Sequence, residues 1–189
     1  TDPEICAGRT GLELFGGAVM DLHDVAAQLI PERRANPGDD LLTWMVQAEF
    51  DGKKMTDNEL KAFFVLLAVA ANDTTRHASA HAIYALSKFP AQRVGTGVEE
   101  VRRWASPLLH MRRTATQDFT LGDKEIKAGD KVVLWYISGN RDEDVFVDPF
   151  TFDILRNPNP HIAFGGGGPH FCLGAALART MLKSLITEV

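Results

Sequence analysis

The stretch "HIAFGGGGPHFCLGAALAR", His161 to Arg179, decides how this chain is read. Four consecutive glycines, Gly165 to Gly168, lead to Cys172, and a small-residue helix is expected from about Leu173 onward. A cysteine at a helix start meets unpaired amides and the positive end of the helix dipole, which favour an anion. A thiol there ionises more readily, and the thiolate is the species that binds metal. Glycines let backbone lie flat against something planar, because no Cβ intervenes. Ala175 and Ala176 keep the first helical turn low in the same way. A phosphate-binding loop would need Lys-Ser or Lys-Thr after the glycines, where this chain has Pro169-His170. From these residues alone, Cys172 is open to three readings: a metal ligand, a catalytic nucleophile with a distant His and Asn or Asp, or a buried structural thiol.

The surrounding composition narrows the class. The chain has 189 residues, 45% hydrophobic and 24% charged, the profile of a soluble globular protein with a sizeable core. A formal charge of −5 argues against nucleic acid or an anionic membrane surface as a partner. Cys6 and Cys172 are the two cysteines, which suggests a reducing, cytoplasmic setting rather than a disulfide framework. The longest apolar run, "FFVLLAVAA" (Phe63 to Ala71), falls well short of the roughly 20 residues that span a bilayer. The chain starts without Met and stops at Val189 inside a helical pattern, so it reads as a portion of a longer protein.

Outward from the cysteine, the pattern is mainly α with a small β region. Helical periodicity covers Leu12 to Ile30 and then Asp40 to Glu49, and "EFDGKKMT" reads as a turn on Asp51-Gly52. Thr56 and Glu59 form a capping box for a helix that runs to Phe89, stopped by Pro90 and about 50 Å long. Thr96 and Glu99 form a second box for a short helix ending before Ser106-Pro107. Strands are expected between Met111 and Ser138, and Arg141 to Gly168 is irregular. Such a long irregular segment calls for a functional reason. The organisation is a single partial domain over residues 1–189. Residues 1–55 precede the long helix of 56–89, and 97–189 carry the cysteine.

"FGGGGPHFCLG" resembles the haem-binding loop of the cytochrome P-450 family, the haem-thiolate monooxygenases, at Phe164, His170, Cys172 and Gly174. It has one glycine more between Phe164 and Cys172 than the commonest form, as some actinobacterial-type members do. "EEVRRW" resembles the family's Glu-x-x-Arg motif at Glu100 and Arg103, residues that share a helix face at i and i+3. Arg156 in "FDILRNP" is the candidate third member of a buried structural triad. "VFVDPFTFD" resembles the Phe-x-x-Pro stretch, with Phe146, Pro149 and Phe152. "AANDTT" (Ala70 to Thr75), midway along the long helix, resembles the oxygen-activation motif, with Asp73 and Thr74 as the acid–alcohol pair. A mid-helix Thr such as Thr74 can bond back to the carbonyl of Ala70 and bend the helix. The four motifs occur in family order and cover Asp40 to the end.

The resemblance implies the C-terminal portion of the cytochrome P-450 fold, with haem b held by the Cys172 thiolate as the metal ligand. Gly166, Gly167 and Gly174 would form the flat bed, Ala70 would leave clearance, and Arg113 and His170 would bind the propionates. Asp73 and Thr74 would steer protons and water while one oxygen of O2 is inserted into a hydrophobic substrate, with electrons from a ferredoxin or flavin-type donor. Leu66, Val69 and Ala70, with Leu109 and His110, would border the substrate. The loop and the "HMRRTATQD" and "NRDE" stretches are most similar to bacterial members acting on steroids or branched isoprenoid lipids. His77 and His81 have metal-ligand spacing but read as surface or packing residues, with no third ligand near in sequence. Between "SKFPAQRV" and "GTGVEEV" the chain is shorter than the family pattern. The rival readings are a haem-binding or inactive fragment and, more distantly, a cysteine hydrolase.

Overall fold

A computed structural model describes residues 6–91 and 97–188, and the chain divides into two compact units, residues 1–72 and 73–189. The division falls inside the long helix. The second capping-box threonine, Thr96, and the shortened stretch around Val94-Gly95 lie outside the described residues.

In the first unit, α1 (Gly11–Ala35) starts at a capping box: Glu13 N–H donates to Thr10 Oγ1 at 3.3 Å, and Thr10 N–H donates to Glu13 Oε2 at 2.7 Å. This helix passes Pro31 and runs five residues beyond the expected end at Ile30. Its last turn carries Arg33 and Arg34, which suit the negative end of the helix, and Arg33 Nε donates to Asp40 at 2.6 Å. Asp40 also caps α2 (Leu41–Gln47), accepting from Thr43 N–H at 2.8 Å. The expected turn at Asp51-Gly52 is a hairpin between β1 (Glu49–Phe50) and β2 (Lys53–Lys54). Both loop residues have positive φ, 51° and 73°, as an Asp-Gly turn of this type requires. Thr56 and Glu59 complete a capping box for α3 (Asp57–Lys88). Ala26, Ile30, Met45, Val46 and Leu60 form the core of this unit.

The second unit is built on the C-terminal part of α3, on α4 (Val98–Ala105) and on α6 (Ala175–Glu188). Ala78, Ala82, Ala85 and Leu86, at helical spacing, pack with Val98, Val101, Leu182 and Ile186. Phe152 and Ile154, from the irregular segment, complete this core. Phe152 stacks on Phe89 at 5.1 Å and meets Trp104 edge-on at 5.8 Å, so the loop is anchored by an aromatic cluster. Antiparallel pairing joins β3 (His110–Thr114) to β6 (Lys131–Trp135), and β4 (Phe119–Leu121) to β5 (Lys124–Ile126). A one-turn helix, α5 (Tyr136–Gly139), follows β6 and was not expected from the sequence. The architecture is mainly α with small two-stranded sheets.

Candidate functional site

Cys172 sits three residues ahead of α6, whose first residue is Ala175 rather than the expected Leu173, and the Cys172 carbonyl accepts from Ala175 N–H at 3.2 Å. Its sulfur is free of any disulfide and partly exposed. The loop closes on itself, with Cys172 N–H donating to the Phe164 carbonyl at 3.0 Å and Phe171 N–H to the Gly168 carbonyl at 3.1 Å. Gly165, Gly167 and Gly168 have φ of +95°, +94° and +78°, a backbone that side chains strongly disfavour. Around Gly166, Gly167, Gly168 and Gly174 a Cβ would meet no atom within 4 Å, so the loop presents an open, flat surface beside the thiol. Phe171 and Leu173, on either side of the cysteine, are exposed apolar side chains. His170 lies exposed on the same loop.

Phe164 is buried, with two guanidiniums packed against its ring. Arg102 Cζ stands 3.9 Å from the ring centroid and Arg179 Cζ 4.4 Å. Arg179 pairs with Glu99, its Nε donating at 2.7 Å and its Nη2 at 3.1 Å. His161 Nε2 meets the same carboxylate at 2.8 Å, while Ala163 N–H donates to His161 Nδ1 at 3.2 Å. An N–H can only donate, so Nδ1 is the acceptor and Nε2 carries the proton given to Glu99. The His161 bond, helped by Arg179 and opposed by partial burial, holds the Glu99 carboxyl down at about 2. Glu99 therefore serves the cysteine loop, and the cap of α4 is Gly97, with no side-chain bond. Arg102 is different: it is buried, its Nε has no hydrogen-bond partner, and it forms no ion pair among the described residues.

Glu100 and Arg103 are fully buried on α4 and joined by two parallel bonds of 2.8 and 2.7 Å. Arg103 spends its remaining donors on the carbonyls of Asn140, Pro149 and Thr151. Arg156 brings Nε to 3.3 Å from Glu100 Oε2 and donates to the carbonyls of Val147, Asp148 and Thr151. Phe146 lies under both guanidiniums, 5.3 and 5.9 Å from their centres. Asp153 N–H and Asn159 Nδ2 also donate to Glu100. Asn140, wholly buried, ties three strands of this network together. Its Nδ2 donates to Ser106 Oγ and its Oδ1 accepts from Ile162 N–H, both at 2.8 Å, and its carbonyl takes Arg103.

The other sequence candidates lie on or beside β3 and on α3. Arg113 lies on β3 with its guanidinium exposed, donating to the Arg112 carbonyl at 3.1 Å. His110, at the head of β3, packs tilted against Trp135 with ring centroids 4.8 Å apart, and Leu109 before it is exposed. Asp73 and Thr74 lie on α3, and Asp73 is exposed, meeting Arg76 at 3.0 Å and His77 at 3.5 Å. His81 Nδ1 donates to the His77 carbonyl at 2.8 Å. In the first unit, Leu66, Val69 and Ala70 are exposed on α3. Glu99, Arg102, Asn140, His161 and Arg179 carry the loop's support without having been marked as site residues. His161 and Arg179 bound the quoted stretch itself, and that was the one signal available for them.

The sequence profile described as Cytochrome P450 matches residues 96–189, which takes in this whole arrangement. The chain belongs to the cytochrome P450 family. It is 48% identical to the methyl-branched lipid omega-hydroxylase of Mycobacterium tuberculosis over 198 residues, covering 100% of this chain and 46% of that protein. It is 43% identical to the steroid C26-monooxygenase of Mycolicibacterium smegmatis over 195 residues, covering 100% of this chain and 44% of that protein. The structure superposes on the Mycobacterium marinum cytochrome P450 CYP268A2, solved with pseudoionone, with a TM-score of 0.92 and 51% identity. That match covers 99% of this chain and 48% of the solved one. This P450 chain thus spans about half the length of the relatives it matches.

The family implies haem, and the residues present fit it. A free thiol stands beside a glycine surface with no atom above it, and a buried cation with an unpaired Nε lies beneath the loop. Among the described residues no group of three or more His, Cys, Asp and Glu could hold a metal ion. No described helix is long and apolar enough to cross a membrane.

Proposed function

We propose that this chain is the haem-binding part of a P450 monooxygenase that hydroxylates a hydrophobic substrate, of the branched-lipid or steroid type on which its relatives act. The observation that carries the reading is Cys172: a free thiol on a self-closed glycine loop whose exposed surface is open. Haem b, which Cys172 would hold, would supply the chemistry, activating O2 for insertion of one oxygen atom into a C–H bond.

The chain's own residues prepare that chemistry. Cys172 would hold the iron, and the Cys172 N–H to Phe164 carbonyl bond fixes the loop that presents the sulfur. Arg113 and His170 hold the propionates; an Arg fork suits a carboxylate, and both side chains are exposed. Asp73 and Thr74 hold and pass protons, with Arg76 and His77 setting the position of the Asp73 carboxylate. Leu109 and His110 are the second unit's candidates for substrate contact. Two electrons come from a ferredoxin or flavin-type donor.

The test is the carbon monoxide difference spectrum of the reduced protein. A thiolate-type Soret band is expected, lost in Cys172→Ser and kept in Cys6→Ser. Haem uptake without that band, or a band that survives Cys172→Ser, would sink the reading.

A further inference from the structure

We propose that the Arg102 guanidinium is the fixed counter-charge of the Cys172 thiolate and sets how readily a haem held there accepts an electron. The inference rests on the haem-thiolate reading above and adds to it a residue that no motif marks.

The case begins with charge balance around Phe164. Four polar side chains surround this ring or its immediate partners: Arg102, Arg179, Glu99 and His161. Glu99 is matched by Arg179 through two bonds of 2.7 and 3.1 Å. His161 accepts from Ala163 N–H at Nδ1, so its ring is neutral and adds no charge. Among the described residues of this cluster one cation is left over, and it is Arg102. Its side chain is buried, lies 3.9 Å over the Phe164 ring, and leaves Nε without a partner. A buried cation without a partner is costly, and α4 would be cheaper with an apolar residue there. The Phe164 backbone carbonyl takes the Cys172 amide at 3.0 Å, so the ring that Arg102 covers belongs to the residue that anchors the cysteine. Burial drags the Arg102 pKa down. With the thiolate formed, the cluster closes to neutrality.

A consequence follows for the redox step. One-electron reduction adds a negative charge to the haem–thiolate unit, and a fixed, poorly screened cation stabilises the reduced form. Arg102 therefore raises the midpoint potential, acting through the Cys172 loop as a positioning charge rather than touching substrate or haem.

The experiment is a spectroelectrochemical titration of the haem-loaded protein and of Arg102→Leu, Arg102→Gln and Arg102→Lys. The neutral variants are expected to keep the thiolate Soret band with CO. At the parent's midpoint their ferric-to-ferrous ratio should rise about tenfold, which is about 59 mV for a one-electron couple. Arg102→Lys, which keeps the charge, should stay within about threefold of the parent. If Leu loses haem, Gln, with its polar reach, supplies the neutral reading. Neutral variants that keep the parent's midpoint, or a Lys variant that falls as far as they do, overturn the inference. So does loss of the thiolate band in all three, which would make Arg102 a purely structural residue. A parent with no thiolate band overturns the functional reading instead.

Discussion

The Arg103 guanidinium grips the Glu100 carboxylate through two parallel bonds, Nε to Oε2 at 2.8 Å and Nη2 to Oε1 at 2.7 Å, with neither side chain exposed to solvent. A pair buried this fully is held by satisfied donors rather than by Coulomb energy alone, since desolvation offsets much of the attraction. Removing one partner strands the other. Glu100→Gln or Arg103→Leu should lower unfolding free energy by about 3–5 kcal/mol. Arg103→Lys should fall between, because an ammonium has three donors and no fork to match five bonds. Denaturant unfolding of the three variants reads the order, and a Lys variant as stable as the parent would contradict it.

Glu99 gives a pH prediction. Its carboxyl is held at about 2, against an ordinary value of 4.5, chiefly by the His161 bond and then by Arg179. A depressed folded-state value means that Glu99 stabilises the fold above the unfolded value and that this support disappears as pH falls toward the folded one. The window is therefore about 4.5 down to about 2. Glu99→Gln should unfold more easily than the parent near neutrality, and the gap should narrow steadily across that acid range. Thermal unfolding of both proteins in a pH series measures it; a constant gap would mean that the carboxylate's charge is irrelevant.

The glycine loop separates two kinds of demand. Gly167 has φ of +94°, so Gly167→Ala strains the backbone although the space around it is open. The expected loss is about 1–2 kcal/mol, with or without haem. Gly166 lies outside the left-handed region and has nothing within 4 Å, so Gly166→Ala should leave the haem-free protein unchanged. Its methyl would stand on the surface proposed to face the porphyrin, so weaker haem retention is the outcome expected there. If Gly166→Ala retains haem as the parent does, the bed does not lie against the porphyrin at that residue.

How much of this was legible in sequence depends on the distance over which a signal acts. The capping box at Thr56 and Glu59, the Asp51-Gly52 hairpin turn and the glycine run are local patterns, each read within a few residues. Glu99 shows the limit. Its carboxylate meets His161 and Arg179, 62 and 80 residues away, while Thr96, its partner in the capping-box pattern, lies outside the described residues. Those tertiary partners lie far outside any local window, and nothing in the spacing announced them. Likewise α1 continues past Pro31 to Ala35, five residues beyond the periodic stretch, with a basic last turn and Arg33 bonded to Asp40. Arg102 was invisible for the opposite reason: beside the Glu-x-x-Arg pair, a second arginine on a charged helix reads as a solvated side chain until burial is known.

Asp73 and Thr74 carry the proton-delivery part of the proposal. Thr74→Ala should consume electrons with little product, and Asp73→Asn should slow turnover; product per electron consumed distinguishes the two. Full coupling in Thr74→Ala would remove the alcohol from that role.

Asn140 provides the sharpest structural test, because each of its polar atoms has a different task. Nδ2 donates to Ser106 Oγ, whose own proton already goes to the Arg103 carbonyl at 2.8 Å. Oδ1 receives Ile162 N–H, two residues before Phe164, and so links the helix α4 terminus to the cysteine loop. Asn140→Asp keeps the shape and the Oδ1 acceptor but turns the donor into a second acceptor facing an oxygen with no proton to give. The carboxyl must then either repel Ser106 Oγ while buried or take up a proton. Asn140→Asp should therefore be destabilised near neutrality and recover as pH is lowered through its raised pKa, the reverse of the Glu99 trend. Asn140→Ala strands the Ile162 amide and should lose about 1–3 kcal/mol at every pH. Unfolding midpoints of the two variants across the same series decide the point: an Asp variant that does not gain on the Ala variant toward acid pH would show that Nδ2 is not needed as a donor there.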